Sequence, residues 1–144
     1  MDSLPVLRSK QCVGGCEVLL RPTNPKNTMA QGFREIEFIY SLSDEFKDRL
    51  RVFALRQKFK ILKFVVQYEA FIQNKWMPIV RYDTSHRFAH KDIIHYNGRE
   101  DKQPLYIHDF NMAFTFAVQD LKVGWKWYRA SFEKEIENEE RSGS

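Results

Sequence analysis

Cysteine is scarce in this chain of 144 residues, with Cys12 and Cys16 its only two. That number excludes a disulfide framework. It also leaves Cys12-Val13-Gly14-Gly15-Cys16 as half of a tetrahedral zinc site with no second pair to complete it. A reducing, cytoplasmic location is therefore expected. Glycine is nearly as sparse, at six, and never takes the spacing of a phosphate-cradling loop. No apolar run approaches the roughly 18 residues of a membrane-spanning helix. The N-terminus lacks the basic start and continuous apolar stretch of a secretory signal. No internal repeat is present. What remains is a chain sized for one domain and long enough to bury a core without metal or disulfides. No membrane association and no cofactor are expected.

Aromatic side chains, by contrast, make up 15% of the residues, twelve of them Phe, which is too many for disorder throughout. The net charge of +4 is unevenly spread. Between residues 47 and 63, seven basic residues stand against a single acid, Asp48. Among them Arg51, Arg56, Lys58, Lys60 and Lys63 are candidates for contact with an RNA backbone. The far end runs the other way, through Glu133, Glu135, Glu137, Glu139 and Glu140. Ordinary solvated charge explains the same pattern without any ligand.

Residues 1–32 carry prolines and glycines with little periodicity and are expected to form an irregular arm, with one short strand near residues 16–20. Residues 33–137 are expected to form a single α+β domain, and residues 138–144 a frayed acidic tail. Ile36, Phe38, Tyr40 and Leu42 alternate with more polar neighbours, which predicts a half-buried strand. Residues 44–57 fit either a helical face or a strand, and a strand over about 50–56 is favoured. Residues 60–83 predict a hairpin with Gln73-Asn74-Lys75 as a three-residue loop. That register pairs Ile72 with Trp76, Glu69 with Ile79, Tyr68 with Val80, Gln67 with Arg81, Val66 with Tyr82 and Val65 with Asp83. It turns Val66, Tyr68, Val80 and Tyr82 to the core and Gln67, Glu69, Arg81 and Asp83 to a more polar face.

A short strand is expected over residues 92–96, ahead of the turn signal Asn97-Gly98. Asp109 then caps a long helix, along which Phe110, Ala113, Phe114, Ala117, Leu121, Tyr128, Phe132 and Ile136 recur at helical spacing. The expected architecture is two-layered: an antiparallel sheet of five or six strands with the C-terminal helix on one face.

Chemistry concentrates in one place. His86, His90 and His95 fall within ten residues, beside Arg81, Asp83 and Asp92, with His108 further on. Histidine titrates near neutral pH, and three readings of the cluster compete. In the first, His86-x-x-x-His90 binds a metal with Asp92 or His95; but Arg87 stands where a metalloprotease pattern needs Glu. In the second, His86 and His90 share base and acid roles without a metal, Arg81 stabilises phosphorane charge, and Asp83 orients an imidazole. In the third, the residues only pair with one another and with loop backbone. Thr84 and Ser85 read as loop or capping residues, since nothing resembles a nucleophile elbow.

The run Val80-Arg81-Tyr82-Asp83-Thr84-x-His86-x-Phe88-x-His90-x-Asp92, followed by Asn97-Gly98, resembles a family of small uncharacterised prokaryotic proteins over roughly residues 34–135. More distantly, the order of hairpin, Arg-Tyr-Asp, histidine loop, short strand and acid-capped helix is similar to TumE-type toxins of toxin–antitoxin pairs. That resemblance implies a toxin acting on RNA and a cognate antitoxin, or another protein partner, docking on the C-terminal helix. The working expectation is metal-independent phosphodiester cleavage by His86, His90, Arg81 and Asp83. The alternatives are a non-catalytic interaction module, using the helix and its aromatic end, and a metal-dependent hydrolase.

Overall fold

The computed structural model describes residues 18–20 and 32–143. Cys12, Cys16 and most of the expected arm lie outside these residues. The chain builds strands β1 (Val18–Leu20), β2 (Phe33–Ser41), β3 (Asp48–Gln57), β4 (Lys60–Ile72), β5 (Lys75–Asp83), β6 (His90–Ile94) and β7 (Glu100–Pro104), then one helix, α1 (Phe110–Ser142). The strands lie side by side in sequence order and all pairs are antiparallel. Six strands from β2 to β7 form a meander, and the three-residue β1 extends its edge. Helix α1 packs chiefly against β4 and β5. The α+β, two-layer reading of the sequence is correct.

The β4–β5 hairpin has the expected faces but a different turn. Val65–Asp83, Val66–Tyr82, Gln67–Arg81 and Tyr68–Val80 pair as the alternation predicts. Beyond Tyr68 a bulge shifts the register, so that Glu69 meets Pro78, Phe71 meets Trp76 and Ile72 meets Lys75. The loop therefore holds two residues, Gln73 and Asn74, not three. Both adopt positive φ, 56° and 63°, the conformation of the two-residue turn whose twist suits a hairpin. The bulge absorbs the odd residue and keeps both Ile79 and Val80 buried.

One face of the sheet meets α1. Leu50, Val52 and Ala54 of β3 line up with Tyr68, Val66 and Phe64 of β4, all nearly inaccessible. From α1 come Ala113, Phe114, Ala117, Val118, Leu121, Tyr128, Phe132 and Ile136. Phe64 meets Phe110 and Phe114 edge to face at 6.4 and 5.5 Å. Asp109 caps the helix, its carboxylate accepting from the Asn111 and Met112 amides. The helix runs on through Ser142, past residue 137 where the sequence pattern expected fraying to begin. The last apolar residue of the stripe is Ile136, so the final turns carry helix-favouring Glu and Arg with no core beneath them. No described helix is long and apolar enough to cross a membrane.

Candidate functional site

The face of the sheet opposite α1 carries the polar side chains, and its pairing aligns them in rows. Across one row run Arg51, Gln67, Arg81, Asp92 and Lys102, each paired with the next strand's member. Across the adjacent row run Phe53, Val65, Asp83, His90 and Pro104. Strand β5 ends at Asp83, and β6 begins at His90 directly opposite it. The intervening loop includes a single 3-10 turn at Ser85–Arg87, in which His86 and Arg87 both take positive φ. Thr84 anchors it, its hydroxyl oxygen accepting from the Phe64 amide at 3.0 Å. Ser85 donates to Asp83 Oδ1 from its amide and its hydroxyl, at 3.1 and 3.0 Å. Both residues thus take the loop roles expected of them.

Arg81, Asp83 and His90 converge, and with them come Asp92, Glu100 and Lys102. The Arg81 guanidinium reaches Asp83 Oδ2 at 3.4 Å, Asp92 Oδ2 at 3.3 Å and Glu100 Oε1 at 3.2 Å. Lys102 sits 3.3 Å from both oxygens of Asp92. Asp92 is completely buried and His90 is 2% exposed. A buried carboxylate costs several kcal/mol unless paired, and these two cations supply the pairing.

His90 holds its Nδ1 3.3 Å from the Phe88 carbonyl. Its Nε2 lies 2.9 Å from Asp83 Oδ1 and 3.8 Å from Asp92 Oδ2. Although the first of these separations is short, the alignment fails hydrogen-bond geometry, and Nε2 is buried without a hydrogen bond. A ring N–H bond is directional, so the short separation does not make one.

His86 and His90 are not the equal pair that the acid–base reading required. Their rings stand 6.1 Å apart, but His86 is exposed while His90 is sealed beneath the half-exposed ring of Phe88. The candidate RNA contacts also divide. Arg51 lies on the polar face, paired with Glu69 at 3.5 Å, and Lys63 on the same face approaches the Phe53 ring at 5.9 Å. Lys58 and Lys60 stand exposed at the β3–β4 turn. Arg56 is half-buried near the end of β3.

The third histidine of the cluster, His95, works on the other side. Its Nε2 meets Asp101 at 2.7 Å and its Nδ1 meets Glu135 of α1 at 2.8 Å. The hydrogen bond to Asp101 and then that to Glu135 raise its pKa above the usual histidine value. The same contact holds Asp101 below the usual carboxylate value. Nearby, Asp120 accepts from Tyr82 and Tyr128 at 2.6 and 2.7 Å, and Lys91 donates to Tyr128. Burial first, and the Asp120 hydrogen bond second, push both tyrosines up. His108 is exposed.

Asp92, Glu100 and Lys102 are the site residues that sequence reasoning left out of its catalytic set. A signal existed: a hairpin centred on Asn97 pairs Ile94 with Glu100 and Asp92 with Lys102. Residues 30–138 match the family model described as Domain of unknown function (DUF7718), and the chain belongs to that family. No curated protein matches it, and no solved structure does.

Proposed function

We propose that this chain acts on RNA, cleaving its phosphodiester backbone at the Arg81–Asp83–His90–Asp92 cluster, as a toxin-like protein restrained by a protein partner. The observation that carries the reading is the meeting of three carboxylates, two cations and a histidine on one strip of β5, β6 and β7. A phosphoryl group in transfer gains negative charge, and fixed cations stabilise it. Arg81 supplies such a cation from a held position, and Lys102, 56% exposed, supplies a second that can reach outward. His86 is the exposed imidazole available for proton transfer. His90 and Asp83 brace the loop on which it stands. Arg51 and Lys63 continue the same face toward β3 and β4, which suits a backbone laid across the sheet.

A partner has its own support. Met112, Phe116, Val123 and Trp127 recur along the outer side of α1 and stay 63, 46, 82 and 68% exposed. An exposed apolar stripe on a helix is a docking surface in many complexes. The likeness to TumE-type toxins supplies the toxin part of the reading.

The test uses His86→Ala and Lys102→Ala, both at exposed side chains, with Arg81 still pairing the buried Asp92 in the second. RNA cleavage by the purified full chain, and growth arrest on its expression, are expected to fall at least tenfold in each. Wild-type behaviour in both variants would leave an interaction module as the better description.

A further inference from the structure

We infer that Asp83, His90 and Asp92 form a binding site for a divalent transition-metal ion of the Mn2+ or Zn2+ kind. One ligand-type atom from each lies within 4.8 Å of the other two. The inference shares residues with the function proposed above but stands on a different observation: His90 Nε2 is buried, lacks a hydrogen bond and faces two carboxylates.

The ring's other nitrogen explains the arrangement. A metal-ligating histidine commonly donates its second N–H to a backbone carbonyl, which fixes the tautomer and aims the remaining lone pair at the ion. His90 Nδ1 meets the Phe88 carbonyl at 3.3 Å, leaving Nε2 as the lone-pair side. A neutral ring in this tautomer leaves the Nε2 lone pair without a donor, with the Asp83 oxygen 2.9 Å away but off its axis. Two electron-rich atoms at that distance repel; Arg81 offsets the charge from the far Asp83 oxygen, and an ion held by both atoms would satisfy them directly. Bonds of about 2.0–2.2 Å from an ion to N and O ligands put neighbouring ligand atoms roughly 3–3.5 Å apart. The observed 2.9 and 3.8 Å separations bracket that span.

The ligand oxygen is also braced. Asp83 Oδ1 accepts twice from Ser85, while Oδ2 is the oxygen turned to Arg81. Hydrogen bonds to a ligating carboxylate are the usual outer support of a metal site.

Arg81 lies 3.3 Å from Asp92 Oδ2, and Lys102 is the second and more exposed competitor. Its ammonium contacts both Asp92 oxygens, but its side chain is 56% exposed and projects from β7, the edge of the sheet. It can swing into water as an ion arrives, and Arg81 can remain on Asp83 Oδ2 and Glu100. One imidazole with two carboxylates favours Mn2+, Fe2+ or Zn2+ over Mg2+ or Ca2+, which prefer all-oxygen sets.

The test is calorimetric titration of Mn2+ and Zn2+ into the full chain, prepared without a histidine tag and stripped with chelator, with Mg2+ for comparison. One transition ion per chain is expected, bound at least tenfold more tightly than Mg2+. Asp83→Asn and His90→Gln should each weaken binding tenfold or more, with circular dichroism verifying the fold. Where either variant fails to fold, Lys102→Ala decides, because the side chain is 56% exposed and Arg81 still pairs Asp92, and it should tighten binding severalfold by removing one competitor. Ser85→Ala should weaken it. Absence of binding in both the wild type and Lys102→Ala would overturn the site, as would equal binding in a folded Asp83→Asn. Binding without RNA cleavage would sink only the proposed function. Cleavage by the chelator-stripped chain, together with no Mn2+ or Zn2+ binding on titration, would sink only the metal site.

Discussion

Arg81 and Tyr82 are neighbours with opposite duties. Tyr82 is completely buried against α1, with its hydroxyl on Asp120 and its ring edge to face with Phe116. Tyr82→Ala is expected to destabilise by about 3–5 kcal/mol, the range for truncating a large aromatic in a core. Urea denaturation at neutral pH measures it. Arg81 points to the polar face, and alternation alone suggests a small loss on its removal. The buried Asp92 changes that expectation. Arg81→Ala leaves a fully buried carboxylate with Lys102 alone, and stranding a buried charge costs about 3–5 kcal/mol where no other partner remains. With Lys102 still beside it, a loss of about 1–3 kcal/mol is expected. Asp92→Asn in the same background should recover part of it, because the stranded charge is then gone. A double-mutant cycle between the two positions reads the coupling.

Among the elements, α1 is attached to the sheet by polar clamps as well as apolar contact. At the β3–β4 end, Arg129 reaches Asp48 Oδ1 at 2.6 Å, and the same oxygen accepts from Tyr68. At the β6–β7 end, His95 joins Glu135 to Asp101. The second clamp should respond to pH, and the sign follows from the shifts. His95 has a raised folded-state pKa, so its contribution is complete below the unfolded value and is lost as pH rises through the raised one. Asp101 has a lowered folded-state pKa, so its contribution is present above the unfolded value and is lost as pH falls through the lowered one. The clamp is therefore strongest in mildly acidic solution, above the Asp101 range and below that of His95. An NMR titration should find His95 above an ordinary histidine, and Glu135→Gln should bring it down. An ordinary value in the wild type would mean that the imidazole is not held by both carboxylates.

On the scale of the whole molecule, an antiparallel sheet has one face committed to the helix and the other carrying charged side chains of both signs. If RNA lies on that polar face, its affinity should fall steeply with salt. Removing the charges of Arg51 and Lys63 together should then make the log–log salt slope shallower by roughly 1.4, at about 0.7 per charge on a single strand. The same pair of changes at Lys58 and Lys60 tests whether the β3–β4 turn also touches the backbone. A slope that ignores both pairs would return these residues to solvated surface.

The sequence by itself determined the local structure and the division into faces. Period-two alternation placed Val66, Tyr68, Val80 and Tyr82 inward and Arg81 and Asp83 outward, because a pleated strand leaves no other choice once one face is buried. Helical spacing and Asp109 marked where α1 begins. Only the tertiary structure decided how the chemistry is shared. His86 and His90 are four residues apart in the sequence, yet one is exposed and the other sealed, because His90 starts a strand while His86 stays in the loop. His95 left the cluster for the helix side by the same alternation that kept Asp92 in it. Lys102 and Glu100 joined the site through pairing with β6, a contact whose register depends on the turn at Asn97-Gly98. How deeply each polar side chain is buried is set by packing between elements, and no local pattern carries it.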